Sequence, residues 1–530
     1  MQSNLAIFEE LNRIAAYLDV EPEAGCPNED CEQHNVAVGS TAARYKRFGK
    51  TTAGTPRYRC LKCQTTFSRA ERSVLRQRMA YKNKDVFLLL VNKSPLRRIA
   101  AVTELTMDTV YRKIDFIHKQ CMRFVGERER VLTERDWPTR YITVDRQTFI
   151  VNWLSRKDRR NVNLLAIASA DLETGYVFGM HLNFDGTMDA DTVIADMTRF
   201  GDHKLARPFR RYARVWLPQD YEDAAKRHKS TGKAAASKDP KKPSEQLEEK
   251  ISNTYAGSAD IEGGEAGDTP SGNGKAPPAG MQVHEQCSMN AHIQLVARLL
   301  RRAKKLRFFL DQEPGLQAAV IAAVPDRIKD RTADAYFVSV LKEVPIDDKR
   351  KAMKAVNDRF NAAKALNPTL KDWEIEILLM KEEMKRTKVI GNRRDRWLAH
   401  PMPNMSEPAK SVCWLTDMGD YDDDHAARLY LKATLHPVDR FFMQVRRRLS
   451  LAERPIASAV NKGRVWNGYS AYQPANLVLA LEIFRVYYNY CQTGEDKKTP
   501  AMRLGLARAP VSPEQILYFM QQNENGLHPA

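Results

Sequence analysis

Hydrophobic and polar positions change rhythm several times along the chain. Residues 1–20, MQSNLAIFEELNRIAAYLDV, place apolar side chains at helical intervals with Glu9, Glu10 and Asp19 between them, which predicts an amphipathic helix. Residues 94–120, SPLRRIAAVTELTMDTVYRKIDFIHKQ, predict two more helices. Ser94 and Pro95 start the first, with Ile99, Ala100, Val102 and Leu105 as its inward stripe; Thr106 caps the second, with Val110, Ile114 and Ile117 inward. From residue 141 the segments YITVDRQTFIVNW, VNLLAIASADLETG and YVFGMHLNFD read as three strands of an antiparallel meander, with turns at 156–160 and 173–175. DADTVIADMTRF returns to a helical period with Val193, Ile194, Met197 and Phe200 inward.

Residues 223–284 then break all periodicity. The stretches KSTGKAAASKDPKKPSEQ and GGEAGDTPSGNGKAPPAG offer almost nothing to bury, which predicts a disordered insertion within a domain, an interdomain linker being the alternative. Beyond it AHIQLVARLLRRA reads as helix, KKLRFFLDQEPGLQAAVIAAV as strand, turn and helix, and DAYFVSVLKEV as strand. Residues 346–400 read as charged helices of a second, ordered insertion. In HPVDRFFMQVRRRLS a late helix holds Phe442, Val445 and Leu449 on its apolar face.

Charge adds the first functional constraint. The 530 residues carry 84 Lys and Arg against 66 Asp and Glu, a net +18, and such a surplus favours a polyanionic partner, nucleic acid first. The first twenty residues lack the basic start and apolar block of a signal peptide, and the most apolar late run, LVLALEIFRVYYNY, is interrupted by Glu482 and Arg485. A soluble protein is expected.

Four of the eight cysteines cluster in two close pairs, Cys26 and Cys31 in CPNEDC, Cys60 and Cys63 in YRCLKC. Two such pairs can present four thiolates tetrahedrally to Zn²⁺; two disulfides, or His34 in place of one sulfur, are the alternatives. RYRCLKCQTTFS has a strand-knuckle-strand rhythm, with Tyr58 and Phe67 to cover a small core. Arg57 and Arg59 belong to a basic surround suited to phosphate. The two helices after it form a helix-turn-helix pattern, whose outward Thr109, Tyr111, Arg112 and Lys113 suit phosphates and base edges; a plain helical hairpin fits the same spacing.

Three carboxylates carry the candidate chemistry. Asp145 and Asp311 each end an apolar run, and Asp439 opens the helix that leads to Arg446, Arg447 and Arg448. Three acids from separate elements can hold a pair of Mg²⁺ ions around a phosphodiester, with the arginines along its backbone. Asp439 can equally be a first-turn acid favoured by the helix dipole, and Asp417, Asp420, Asp422, Asp423, Asp424 and Glu453 lie close by.

In the pieces RYRCLKCQTTFS, SPLRRIAAVTELTMDTVYRKI, TVDRQTF, FFLDQEPG and HPVDRFFMQVRRRLS, the chain resembles bacterial insertion-sequence transposases of the DDE/D superfamily, whose core is similar to ribonuclease H and retroviral integrase. NLVLALEIFRVYYNYCQTGEDKKTPAMRLGLA is similar to an integrase-type ending, in which Asn489 precedes a turn at Thr499 to Ala501. The resemblance implies a multidomain α/β chain with an RNase H-like mixed sheet and helices on both faces. It implies Asp145, Asp311 and Asp439 as catalytic ligands of Mg²⁺ or Mn²⁺, Zn²⁺ on the cysteines, and double-stranded DNA, both transposon ends and target, as partner. A homodimer or larger homo-oligomer and a cytoplasmic, nucleoid-associated location follow. Asp at the third position departs from the commoner Glu. A DNA-binding regulator without catalysis and a nuclease without strand transfer are the competing functions.

The corresponding organisation is an N-terminal helix and zinc ribbon over 1–80 and a helix-turn-helix domain over 81–135. The core occupies 136–222, 285–345 and 426–510, the last part including the integrase-type ending. Between these lie the disordered insertion at 223–284 and the mainly helical one at 346–425, and 511–530 forms a tail.

Overall fold

The computed structural model describes residues 3–520 apart from 20–24, 35, 39, 41, 53–54, 69–72, 75–76, 153–160, 229–242, 260–275, 278, 343, 392–393, 454–455, 458–464 and 467–472. Two compact units emerge, each drawn from three separate stretches of chain. One comprises 1–14, 135–446 and 452–478, the other 15–134, 447–451 and 479–530. The integrase-type ending thus belongs with the N-terminal segments, not with the mixed sheet, and the first helix contributes to the sheet-containing unit.

That unit is built on an eight-stranded sheet. Its strands are β1 (Arg140–Asn152), β2 (Asn161–Asp171), β3 (Val177–Leu182), β4 (Leu306–Asp311), β5 (Ala333–Val340), β6 (Lys388–Ile390), β7 (Asp395–Ala399) and β8 (Lys410–Trp414). Their order is β3-β2-β1-β4-β5-β8-β7-β6. The first three form the antiparallel meander that the alternation predicts; the turn at 156–160 lies outside the described residues. β4 pairs parallel with β1, and β5 parallel with β4. Parallel strands are covered on both faces and read as unbroken apolar runs, which is why β5, ADAYFVSV, is buried at every position. The helix Glu285–Leu299 packs on β2 and β3, and Pro314–Ala323 on β4 and β5.

Three expectations need correction here. Residues 346–425 do not stand apart from the core as a mainly helical insertion: β8 extends the main sheet antiparallel to β5, with Tyr336 opposite Trp414, and β7 and β6 follow it. Within 223–284, Pro243–Ala259 is a helix whose Leu247 and Ile251 are buried. Its Ile251 carbonyl accepts from Gln312 Nε2 at 3.1 Å, and its Tyr255 hydroxyl donates to Asp395 at 2.5 Å. Apolar residues spaced by four in LEEKISNTY carry that helix, and the Gly- and Pro-rich flanks hide them in any average over the whole stretch. In the helix Ala190–Phe200, Val193 is buried while Ile194 and Phe200 are exposed, so its inward stripe is narrower than predicted.

The second unit contains a three-stranded antiparallel ribbon, Tyr45–Lys50, Pro56–Cys60 and Thr66–Ser68. Phe67 stacks on Tyr58 at 6.0 Å and meets Tyr45 edge-on at 5.0 Å. Two helices follow, Leu96–Thr103 and Met107–Arg130, joined through Glu104 in the left-handed region at φ 54°. Thr106 caps the second through a bond from Thr109 N–H, as predicted, and Val110, Ile114 and Ile117 are buried. In the first helix Val102 is 68% exposed and Thr103 takes the inward place expected of it, its hydroxyl bonding the Ile99 carbonyl. Ile99 and Leu105 are buried as expected. Later residues complete this unit: Arg485 donates to Glu129 at 2.6 Å with both side chains buried, and Phe124 meets Tyr490 edge-on. Thr499 caps the short helix Pro500–Leu504, and Asn489 is fully buried.

Candidate functional site

Asp145 lies in the middle of β1, not at its end, opposite Ala168 of β2. On its other side the β1–β4 ladder closes with Val144 opposite Leu310, so Asp145 and Asp311 are the next residues on two neighbouring parallel strands. β4 leaves the sheet at Asp311 while β1 runs on. Open sheets bind ligands at such carboxyl ends, where a departing strand opens a crevice. Asp145 is only 6% exposed, and burial together with the neighbouring Asp311 charge pushes its carboxyl well above the usual carboxylate range.

Asp439 enters from the first turn of the helix His436–Arg448, which buries Val438, Phe441, Phe442 and Val445. The preceding turn is fastened by a buried ion pair. Lys410 donates to Glu407 at 2.9 Å and to the Ala433 carbonyl at 2.9 Å. The second Glu407 oxygen accepts from the Thr434 hydroxyl at 2.7 Å and from Leu435 N–H at 3.0 Å, and Thr434 Oγ1 accepts His436 N–H. Lys410 and these hydroxyl and amide donors hold the Glu407 carboxyl below its ordinary value, although burial alone would raise it.

Lys342, two residues beyond the end of β5, joins the two acids. Its Nζ lies 2.5 Å from Asp439 Oδ1 and 3.6 Å from Asp145 Oδ2. These residues face a cleft of about 480 Å³ whose wall also includes Gln147, His436, Arg440 and Arg446. Arg146, also on the wall, pairs with Glu285 at 2.9 Å and with Glu313. Three of the other acids considered for the third position are engaged elsewhere: Asp420 pairs with Arg331, Asp424 with Lys381, and Asp422 caps the helix that begins at Asp423. The three aspartates do not form a closed ligand set. Among the described residues, the one group of three or more ligand-type side chains with donor atoms within 4.8 Å of one another is the cysteine quartet.

In that quartet Cys26 Sγ is 3.3 Å from Cys63 Sγ, and Cys31 Sγ is 3.7 Å from Cys60 Sγ, all four as free thiols. The arrangement can hold a metal ion such as zinc. His34 stands outside it, with Nδ1 at 3.1 Å from the Cys26 carbonyl. Hydrogen bonding with Thr65 lowers the Cys63 thiol to about 6, whereas burial raises Cys26 to about 12.

The residues read as DNA contacts divide. Arg57 and Arg59 lie over the Phe48 ring on the ribbon, at 5.8 and 5.4 Å. Tyr111 and Arg112 are exposed and Thr109 is half-buried. Lys113 is not outward: it is 2% exposed and donates to Asn83 Oδ1 and the Met79 carbonyl, a correction that follows from its place one turn ahead of Ile117 on the buried face. Arg446 lines the cleft, Arg447 is exposed, and Arg448 is held by Asn92 at 2.8 Å. Lys342, Glu407 and Lys410 are additions that sequence reasoning misses, because isolated residues in loops and at the start of a short strand carry no periodic signal. Among the described residues no helix is long and apolar enough to cross a membrane. No family model matches the sequence, and no curated protein does.

Proposed function

We propose that the chain is a DNA transposase of the DDE/D type, acting on phosphodiester bonds at Asp145, Asp311 and Asp439, the first and last of which line the cleft. The observation that carries this reading is the placement of the acids: two on adjacent parallel strands at the point where one strand leaves the sheet, and one on a late helix tied to the first through Lys342. The order β3-β2-β1-β4-β5, antiparallel through the meander and parallel from β1 to β5, supports an RNase H-like core.

The chemistry of the donors, hard carboxylate oxygens, suits a hard divalent ion, Mg²⁺ or Mn²⁺, although the three have not closed to within ligand distance of one another. All candidate ligands are carboxylates, and a cation already lies between two of them. Asp145, Asp311 and Asp439 would hold it, and bound there it supplies Lewis acidity toward a phosphoryl oxygen and a more acidic water or 3′-hydroxyl. Around it Arg440 and Arg446 offer charge along one wall for the DNA backbone, and His436 stands at the start of the Asp439 helix. Zn²⁺ on the four cysteines would brace the ribbon, which with Tyr111 and Arg112 of the helix pair would grip the element's ends. Joining two ends requires at least two subunits.

The test is cleavage and joining of labelled duplex DNA carrying the element's ends with Mg²⁺, comparing the native chain with Asp145→Ala, Asp311→Ala and Asp439→Ala. Each substitution is expected to lower turnover by at least about a thousandfold while end binding persists. Binding without any cutting by the native chain refutes the enzymatic reading; cutting without joining reduces it to a nuclease.

A further inference from the structure

The ammonium of Lys342 stands between Asp145 and Asp439, and no ordinary fold requirement puts it there. Asp145 is buried beside a second carboxylate, an arrangement that is costly unless a positive charge compensates it. The other basic side chain adjacent to it in sequence, Arg146, is already engaged by Glu285 and Glu313. Lys342 supplies the compensation from a segment outside strand and helix, with its side chain 48% exposed. A flexible four-carbon stem carrying a compact charge can withdraw without disturbing the sheet.

We infer that Lys342 is a built-in counter-cation: a positioning residue that holds Asp145 and Asp439 together when no divalent ion is bound and gives up its place when one arrives. The inference rests on the reading of these carboxylates as a divalent-ion site. It assigns Lys342 a competitive role, because a doubly charged ion and the ammonium repel each other when both are held at the same carboxylates. Once displaced, the ammonium has only donors to offer, and the acceptors a DNA substrate brings into the cleft are phosphate oxygens.

The experiment measures Mg²⁺ binding to the full-length, zinc-loaded chain by calorimetry, without DNA, for the native protein, Lys342→Met, Lys342→Arg and Asp145→Asn. Removing the competing charge is expected to tighten Mg²⁺ binding about tenfold or more, the scale of one unit charge at this separation in a partly wet site. Lys342→Arg, which keeps the charge, stays near the native affinity, and Asp145→Asn binds poorly. An affinity for Lys342→Met equal to or below the native value overturns the counter-cation role while leaving the metal site standing. Absence of Mg²⁺ binding in native and Lys342→Met chains alike overturns both. Circular dichroism of each variant confirms that a loss of binding is not a loss of fold.

Discussion

Asp145 shows how a residue can be placed against its own solvation. Its carboxyl, raised by burial and by Asp311, is harder to ionise in the folded chain than in the unfolded one. The stability this leaves is full below the ordinary carboxylate range and is lost progressively as pH rises toward the raised folded value. Asn at this position has no charge to desolvate. Asp145→Asn is therefore expected to melt above the native chain at neutral pH without divalent ions, with the gap closing on acidification; melting temperatures across pH 4–8 check it. At this scale the three aspartates stand out in the sequence because each interrupts or opens an apolar pattern where a charge is unfavourable. Lys342 does not, since a lysine after a strand is unremarkable until the register of β1, β4 and β5 brings Asp145 and Asp439 within its reach. Lys113 was misread because a lysine's long stem lets it occupy a buried face while its ammonium finds carbonyl acceptors.

Among the elements, the Asp439 helix owes the placement of its first turn to the buried Glu407–Lys410 pair as well as to its own apolar face. Breaking such a pair strands a charge, so Lys410→Met is expected to cost about 3–5 kcal/mol in denaturant unfolding. Adding Glu407→Leu should recover part of that loss, less the bonds to Thr434 and Leu435. The cysteine ribbon gives a second test at this scale. Removal of its metal by a chelator is expected to release about one equivalent per chain and to speed amide exchange over residues 45–68. Metal affinity should fall with pH already near neutrality, where Cys26 still holds its proton, and more steeply below about 6, where Cys63 gains one. Strands and caps were legible from period and from Thr106. The role of 346–425 was not, because β8 is only five residues long and its five buried positions have no alternation to report.

For the molecule as a whole, charge and order of pieces pointed to a DNA-processing chain, while the grouping of those pieces was hidden. Each unit draws on both early and late sequence, and contacts such as Arg485 with Glu129 join residues 356 positions apart. Such pairings leave no local pattern, and they slow folding because long loops must close first. They also set a timetable for synthesis. At ~5–20 residues per second a ribosome needs about 30–100 s to reach the end of this chain. Glu129 waits through most of that interval for Arg485, and the strands of the sheet wait for β8. Neither unit can therefore be finished while the chain is half made, and the one that holds Glu129 stays open until the carboxyl-terminal helices have left the tunnel.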